Sequence, residues 1–323
     1  MNVGPDALAA LGSLPHLQDM LLHVDPADYT WDALQHGRPA SFFPALTKLT
    51  LHDIAFEWCA AFLNTVTSDV LQKLHIRTRD PHCNAPDGLL FEALCVAIGS
   101  LPSGATLHDI DIRSPRLADV NRPAYPPRHI APLTGLKGAL RRLYVRGPCQ
   151  IEVDDATLEA MAHAWPDIRE ITLPWLTHPE HLDDVTYDEE QSEPWDPEET
   201  YLPKATLAGL AALARGCPHL TDLVHTFDMR FIPELDERRR RSRVRAPRPE
   251  ALALERLSVE GSVFDDPIGV SAFLALACPR LRKVGGDDWY DVSWYYASFL
   301  RIREQEKKWA VDRGRGLQGA ALV

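Results

Sequence analysis

Residues 165–173 read Trp165-Pro166-Asp167-Ile168-Arg169-Glu170-Ile171-Thr172-Leu173 and carry two signals at once. The proline stops a preceding helix and holds its neighbour extended, as a helix-to-strand junction requires. Beyond it runs apolar-x-x-apolar-x-apolar, a short strand with one buried face. That pattern recurs nine times: Leu17/Met20/Leu22, Leu46/Leu49/Leu51, Leu71/Leu74/Ile76, Leu107/Ile110/Ile112, Leu140/Leu143/Val145, Ile168/Ile171/Leu173, Leu220/Leu223/His225, Leu254/Leu257/Val259 and Leu281/Val284/Gly286. Leu, Ile, Val or Met fills 25 of these 27 positions, His225 and Gly286 being the exceptions. The proline entry recurs in five of the nine, at Leu14-Pro15, Phe43-Pro44, Trp165-Pro166, Cys217-Pro218 and Cys278-Pro279.

Helical patterns fill the intervals. Residues 53–66 place Ile54, Trp58, Ala61 and Phe62 on one face, and residues 88–101 do so with Leu90, Leu94, Ala97 and Leu101. Asp154 or Asp155 can cap a helix carrying Leu158, Met161 and Trp165, while Asp266-Pro267 reads as N-cap and first helical residue. Gly216 stands where a helix C-cap belongs. The unit is therefore strand, loop, helix, turn, with first-Leu spacings of 29, 25, 36, 33, 28, 52, 34 and 27 residues. One apolar strand face and one apolar helix stripe cannot fold alone, so stacking must supply the core. This predicts an α/β fold: a solenoid of horseshoe type, with an inner parallel sheet and outer helices.

The 323 residues are 45% hydrophobic and 25% charged, an ordinary globular composition. Net charge is −12, which argues against nucleic acid or an anionic membrane as partner. The longest alkyl-rich run, Ala205 to Ala214, is half the roughly 20 residues a bilayer span needs, and no basic residue precedes Arg38. Cys59, Cys83, Cys95, Cys149, Cys217 and Cys278 include no C-x-x-C pair, and no N-x-S/T sequon occurs. Reduced thiols and a cytoplasmic or nuclear location are expected.

The alternation of these strands with helices, and above all the junctions Cys217-Pro218-His219-Leu220 and Cys278-Pro279-Arg280-Leu281, resembles the leucine-rich repeats of F-box/LRR proteins. The irregular spacing is similar to that in the large F-box families of mushroom-forming fungi. The resemblance spans residues 8 to 288. It implies a substrate receptor of an SCF-type ubiquitin ligase, in which the F-box docks a Skp-type adaptor and the repeats hold the target. A repeat is already present by Leu14, so the F-box itself is not visible, and a Skp-type adaptor is an expected partner only if an F-box lies upstream. A repeat scaffold without ligase attachment is the alternative, and an enzyme with no recognised motif is a third.

Residues 1–288 are expected to form the repeat array, with two insertions. Residues 174–203 hold ten acidic side chains from Glu180 to Glu199 and read as an acidic loop. Residues 226–250 hold seven arginines between Arg238 and Arg248, read either as a localisation or phosphate-binding patch or as a solvated insertion paired with the acidic one. Residues 289–323, with Trp289, Tyr290, Trp294, Tyr295, Tyr296 and Phe299, read as a cap over the last repeat, with a helix supported by Glu304 and Lys308 and ended near Gly314.

No hydrolase elbow, P-loop, zincin or dinucleotide motif is present, so neither a catalytic residue nor a cofactor is expected. His75, His82 and Cys83 lack further metal ligands, Gly285-Gly286-Asp287-Asp288 reads as a turn, and Cys217 and Cys278 read as core thiols. By the period-two rule, two residues per strand point away from the core: Asp19 and Leu21, Lys48 and Thr50, Lys73 and His75, Asp109 and Asp111, Arg142 and Tyr144, Glu170 and Thr172, Asp222 and Val224, Arg256 and Ser258, Lys283 and Gly285. This mixed-charge surface predicts a protein or peptide partner on the concave face. The candidate contacts are Lys48, Lys73, His75, Asp109, Asp111, Arg142, Tyr144, Glu170, Asp222 and Arg256, with Arg142 and Tyr144 as the hot-spot pair and Glu170 orienting them.

Overall fold

The computed structural model describes residues 5–23, 42–78, 88–114, 125–146, 151–173, 202–233, 253–259, 261–285 and 289–320. Nine strands are β1 (Asp19–His23), β2 (Lys48–His52), β3 (Lys73–Arg77), β4 (Asp109–Arg113), β5 (Arg142–Arg146), β6 (Glu170–Thr172), β7 (Asp222–Val224), β8 (Arg256–Ser258) and β9 (Lys283–Gly285). They form a single sheet whose spatial order is the chain order, and every pairing is parallel. The register aligns Met20, Leu49, Leu74, Ile110, Leu143, Ile171, Leu223, Leu257 and Val284 in one row. A one-residue slip would turn every such side chain to the other face, so the hydrophobic pattern fixes the register.

Seven α-helices are described: α1 (Pro5–Gly12), α2 (Phe56–Leu63), α3 (Leu89–Gly99), α4 (Asp155–Ala164), α5 (Leu207–Gly216), α6 (Pro267–Ala277) and α7 (Tyr290–Ala320). Their apolar sides join the inward strand residues in one core, with Phe62, Leu94, Leu158, Leu210 and Phe273 packed among Leu49, Leu74, Leu143 and Leu257. The helices pack pairwise, α2 on α3, α4 on α5 and α6 on α7. Between β4 and β5 the short 3-10 turns Pro127–His129 and Ala131–Gly135 stand in the helix layer.

All five proline entries close with the same hydrogen bond, although of the residues before proline only Phe43 has a positive φ, 57°. The residue before each proline accepts a hydrogen bond from the first apolar residue of the next strand unit: Leu17 to Leu14, Leu46 to Phe43, Ile168 to Trp165, Leu220 to Cys217 and Leu281 to Cys278. Proline at the second position of such a turn is preset for it. Phe43, Trp165, Cys217 and Cys278 are fully buried there, whereas Leu14, at the end of the array, is exposed.

Three expectations are corrected. Gly216 is the last residue of α5 and has no positive φ; a Cβ on it would meet the Ala162 Cβ at 2.7 Å, so it serves the close approach of α5 to α4 and not a left-handed cap. The stretch 226–250 does not leave the core at its first residue, because Phe227 and Met229 are buried and Asp228 bridges to Thr206 and Val263. Helix α7 runs past Gly314 to Ala320. Residues 174–201 and 234–252, which include the acidic run and all seven arginines, lie outside the described residues, as do His82, Cys83, Cys149 and Gly286 to Asp288.

Helix α7 packs on α6 and against the proline turn that precedes β9. Trp289, Val292 and Tyr296 are buried, and the Tyr296 hydroxyl reaches the Cys278 carbonyl at 2.8 Å and that of Leu281 at 3.1 Å. The last proline turn thus receives a partner from α7. No described helix is long and apolar enough to cross a membrane.

Candidate recognition face

Strand alternation sends the residues between the buried ones to the side of the sheet opposite the helices. Because register is kept across all nine strands, Asp19, Lys48, Lys73, Asp109, Arg142, Glu170, Asp222, Arg256 and Lys283 form one row. Leu21, Thr50, His75, Asp111, Tyr144, Thr172, Val224, Ser258 and Gly285 form the next. All ten candidate contact residues therefore lie on one surface.

The mixed charges of the first row pair across strands. Lys48 reaches Asp19 at 3.2 Å, and Arg256 is bonded to Asp222, which holds its guanidinium pKa above the ordinary value. Arg142 lies between Asp109 at 3.7 Å and Glu170 at 3.3 Å. His75 stands 3.7 Å from Asp109. Lys73 is exposed, with no ion pair among the described residues. Exposed pairs of this kind are worth little to stability; they hold side chains in place over the sheet.

Asp111 behaves differently from its neighbours. It is only 7% exposed and accepts two 2.8 Å hydrogen bonds from Arg113, which raise the Arg113 pKa. Its carboxylate is occupied within the sheet, because burial of an anion requires a paired cation. Arg113 in turn lies over the Tyr144 ring at 4.6 Å, and Arg142 approaches the same ring at 6.0 Å. The expected Arg142–Tyr144 pair is thus a trio, with Tyr144 flanked by two guanidinium groups.

A third row lies one step further along the strands. His23, His52, Arg77, Arg113 and Arg146 are in register at the C-terminal ends of β1 to β5. Sequence reading stopped at the last apolar residue of each pattern and missed them. Carrying the period-two rule one residue past Leu22, Leu51, Ile76, Ile112 and Val145 reaches all five.

Elsewhere the chemistry is that of a core. Burial pushes the Cys217 and Cys278 thiols up to about 12 and raises Cys95 as well, so these thiols are protonated and inert. His225, in an inward position, is buried and lowered to about 4 by desolvation; its Nδ1–H donates to the Leu173 carbonyl at 3.2 Å. On the helix side, a groove lined by Thr134, Lys137, Glu159, Ala160, His163 and Pro166 opens where 3-10 turns replace a helix. Among the described residues, no group of three or more His, Cys, Asp or Glu side chains converges to hold a metal. No family model and no curated protein matches this sequence.

Proposed function

We propose that the chain is a leucine-rich-repeat solenoid that binds a protein or peptide partner on the face of its sheet opposite the described helices, as the substrate-receptor region of an F-box-type ubiquitin ligase. The observation that carries the recognition reading is the unbroken register of nine parallel strands, which lines up half-exposed Arg142, Tyr144 and Glu170 beside Lys73 and His75 with no helix over them among the described residues. Rigid strands hold such side chains with little entropy left to lose on binding, and Arg and Tyr dominate the energetics of interfaces. The ligase attachment rests on the resemblance of the Cys-Pro-x-Leu junctions to those of F-box/LRR proteins, and a Skp-type adaptor is a partner only where an F-box accompanies the repeats.

Replacing Arg142 and Tyr144 together with alanine is expected to remove specific proteins from those that co-purify with the full chain, with its thermal melt retained. An unchanged set of partners would move the site off this face. For the ligase, the test is retention of a Skp-type adaptor by the product of the complete transcript. Its absence would leave a repeat scaffold without ligase attachment.

A further inference from the structure

We propose that the third row, His23, His52, Arg77, Arg113 and Arg146, seats a short acidic segment of the partner, laid across the strands as an extended peptide. The inference rests on the recognition reading above and names the chemistry of its ligand. Five consecutive strands present only imidazole or guanidinium groups at this level, all in register. Among the described residues two carboxylates reach them, Asp53 at 3.3 Å from His23 and Asp111 on Arg113. Arg77 is exposed and Arg146 half-exposed, and neither has a carboxylate partner among the described residues.

The mutual effect of these groups is visible at His52. Burial lowers its pKa first, followed by the positive charge of Arg77 and then that of His23, while Asp53 opposes them. The His23 and His52 rings meet edge to face, with centroids 5.0 Å apart. Groups so arranged disfavour one another's positive charge, and an anion laid along them relieves that repulsion.

Size and surroundings favour a peptide over a nucleic acid. Neighbouring strands lie about 4.8 Å apart, so the row spans roughly 19 Å, the length of about six extended residues. The row closest to it is nearly uncharged, since Asp111 is already paired, and half-buried His75 and Tyr144 present an imidazole and a phenol ring. Beyond that lies a row of mixed sign, in which Asp19, Asp109, Glu170 and Asp222 are interleaved with Lys48, Lys73, Arg142, Arg256 and Lys283, so on a chain of net charge −12 no long single-signed stripe meets a phosphate backbone.

The probe is a fluorescent oligo-glutamate of about eight residues, titrated with the full chain at low salt and followed by anisotropy. Arg77→Glu with Arg146→Glu is expected to weaken binding about tenfold or more, since two attractions become repulsions. Arg215→Glu with Arg280→Glu changes net charge equally at exposed positions outside the row and is expected to have a much smaller effect. The proposal is overturned if the unmodified chain does not bind the peptide, if both double variants weaken it equally, or if a single-stranded oligonucleotide of matched charge binds more tightly. Partner loss with the Arg142 and Tyr144 variant, beside indifference of oligo-glutamate to the row, would keep the recognition face and remove its acidic ligand.

Discussion

Asp155 opens helix α4, yet its carboxylate holds the start of helix α5, 51 residues downstream: it accepts from the Thr206 backbone N–H and hydroxyl, both at 2.7 Å. The same carboxylate accepts from the Gly209 N–H at 3.0 Å, while α4 is capped by its neighbour Asp154, which accepts from Thr157 at 2.8 Å. Asp154 thus caps α4, while Asp155 ties α4 to the start of α5, whose N-cap Thr206 itself accepts from the Ala208 N–H at 3.1 Å.

Asp155→Ala strands three donors in a half-buried place and is expected to lower stability by about 2 to 3 kcal/mol, more than an ordinary cap. Asp155→Asn keeps one oxygen toward the two N–H groups and offers its amide to the Thr206 hydroxyl, so it should lose less than half as much. Chemical denaturation of both variants measures the difference, and equal losses would mean that packing, not capping, is at stake.

Leu143 lies fully buried in β5, at the centre of the sheet. Leu143→Ala should cost roughly 2 to 5 kcal/mol, because neighbours held in register on both sides cannot collapse around the cavity. A loss below about 0.5 kcal/mol in thermal melts would place Leu143 outside the core.

Gly216→Ala would gain helix propensity, yet its Cβ would meet Ala162 Cβ at 2.7 Å and the Ala162 carbonyl oxygen at 2.9 Å. The clash should dominate, with a net loss of about 1 to 3 kcal/mol. Gly104→Ala, whose Cβ would find its nearest neighbour at 3.7 Å, serves as a near-neutral control. Calorimetry of the pair decides whether the α4–α5 approach is as tight as described.

His225 makes stability depend on acid. Its pKa falls from 6.5 to about 4 on folding, so the unfolded chain takes up the proton first. Its Nε2 has no hydrogen-bond partner among the described residues, and protonation there would bury an unpaired charge. The stabilisation is full above pH 6.5 and is lost as pH falls through that value toward 4. Between about pH 7 and about pH 4.5 this single residue should remove roughly 2.5 kcal/mol. His225→Leu restores the repeat's own residue type and should flatten that part of the acid limb; an unchanged limb in urea titrations at several pH values would show that His225 does not titrate on unfolding.

The outward rows were legible to different depths. Lys48, Lys73, Arg142 and Glu170 follow from counting two positions out of each strand, because the pleat makes facing strictly alternate. Arg77 and Arg146 were equally reachable, but the apolar pattern ends before them. The pairing of Asp111 with Arg113, two residues apart, was not legible: strand geometry places both on one face, yet only the packed surroundings of Asp111 demand that its charge be met.

By itself the sequence determined the strands, their parallel order and which side chains face the core, since Leu49, Leu74, Ile110 and Leu143 obey a local period and the Pro15, Pro44, Pro166, Pro218 and Pro279 turns are set by the φ of one residue. Tertiary structure alone decided that Asp155 ties α4 to the start of α5, that Gly216 yields to Ala162 and that two imidazoles and three guanidinium groups from residues 23 to 146 stand in one row. Each of these joins residues tens of positions apart, and a contact between such residues exists only once main-chain hydrogen bonds have fixed the register of neighbouring strands.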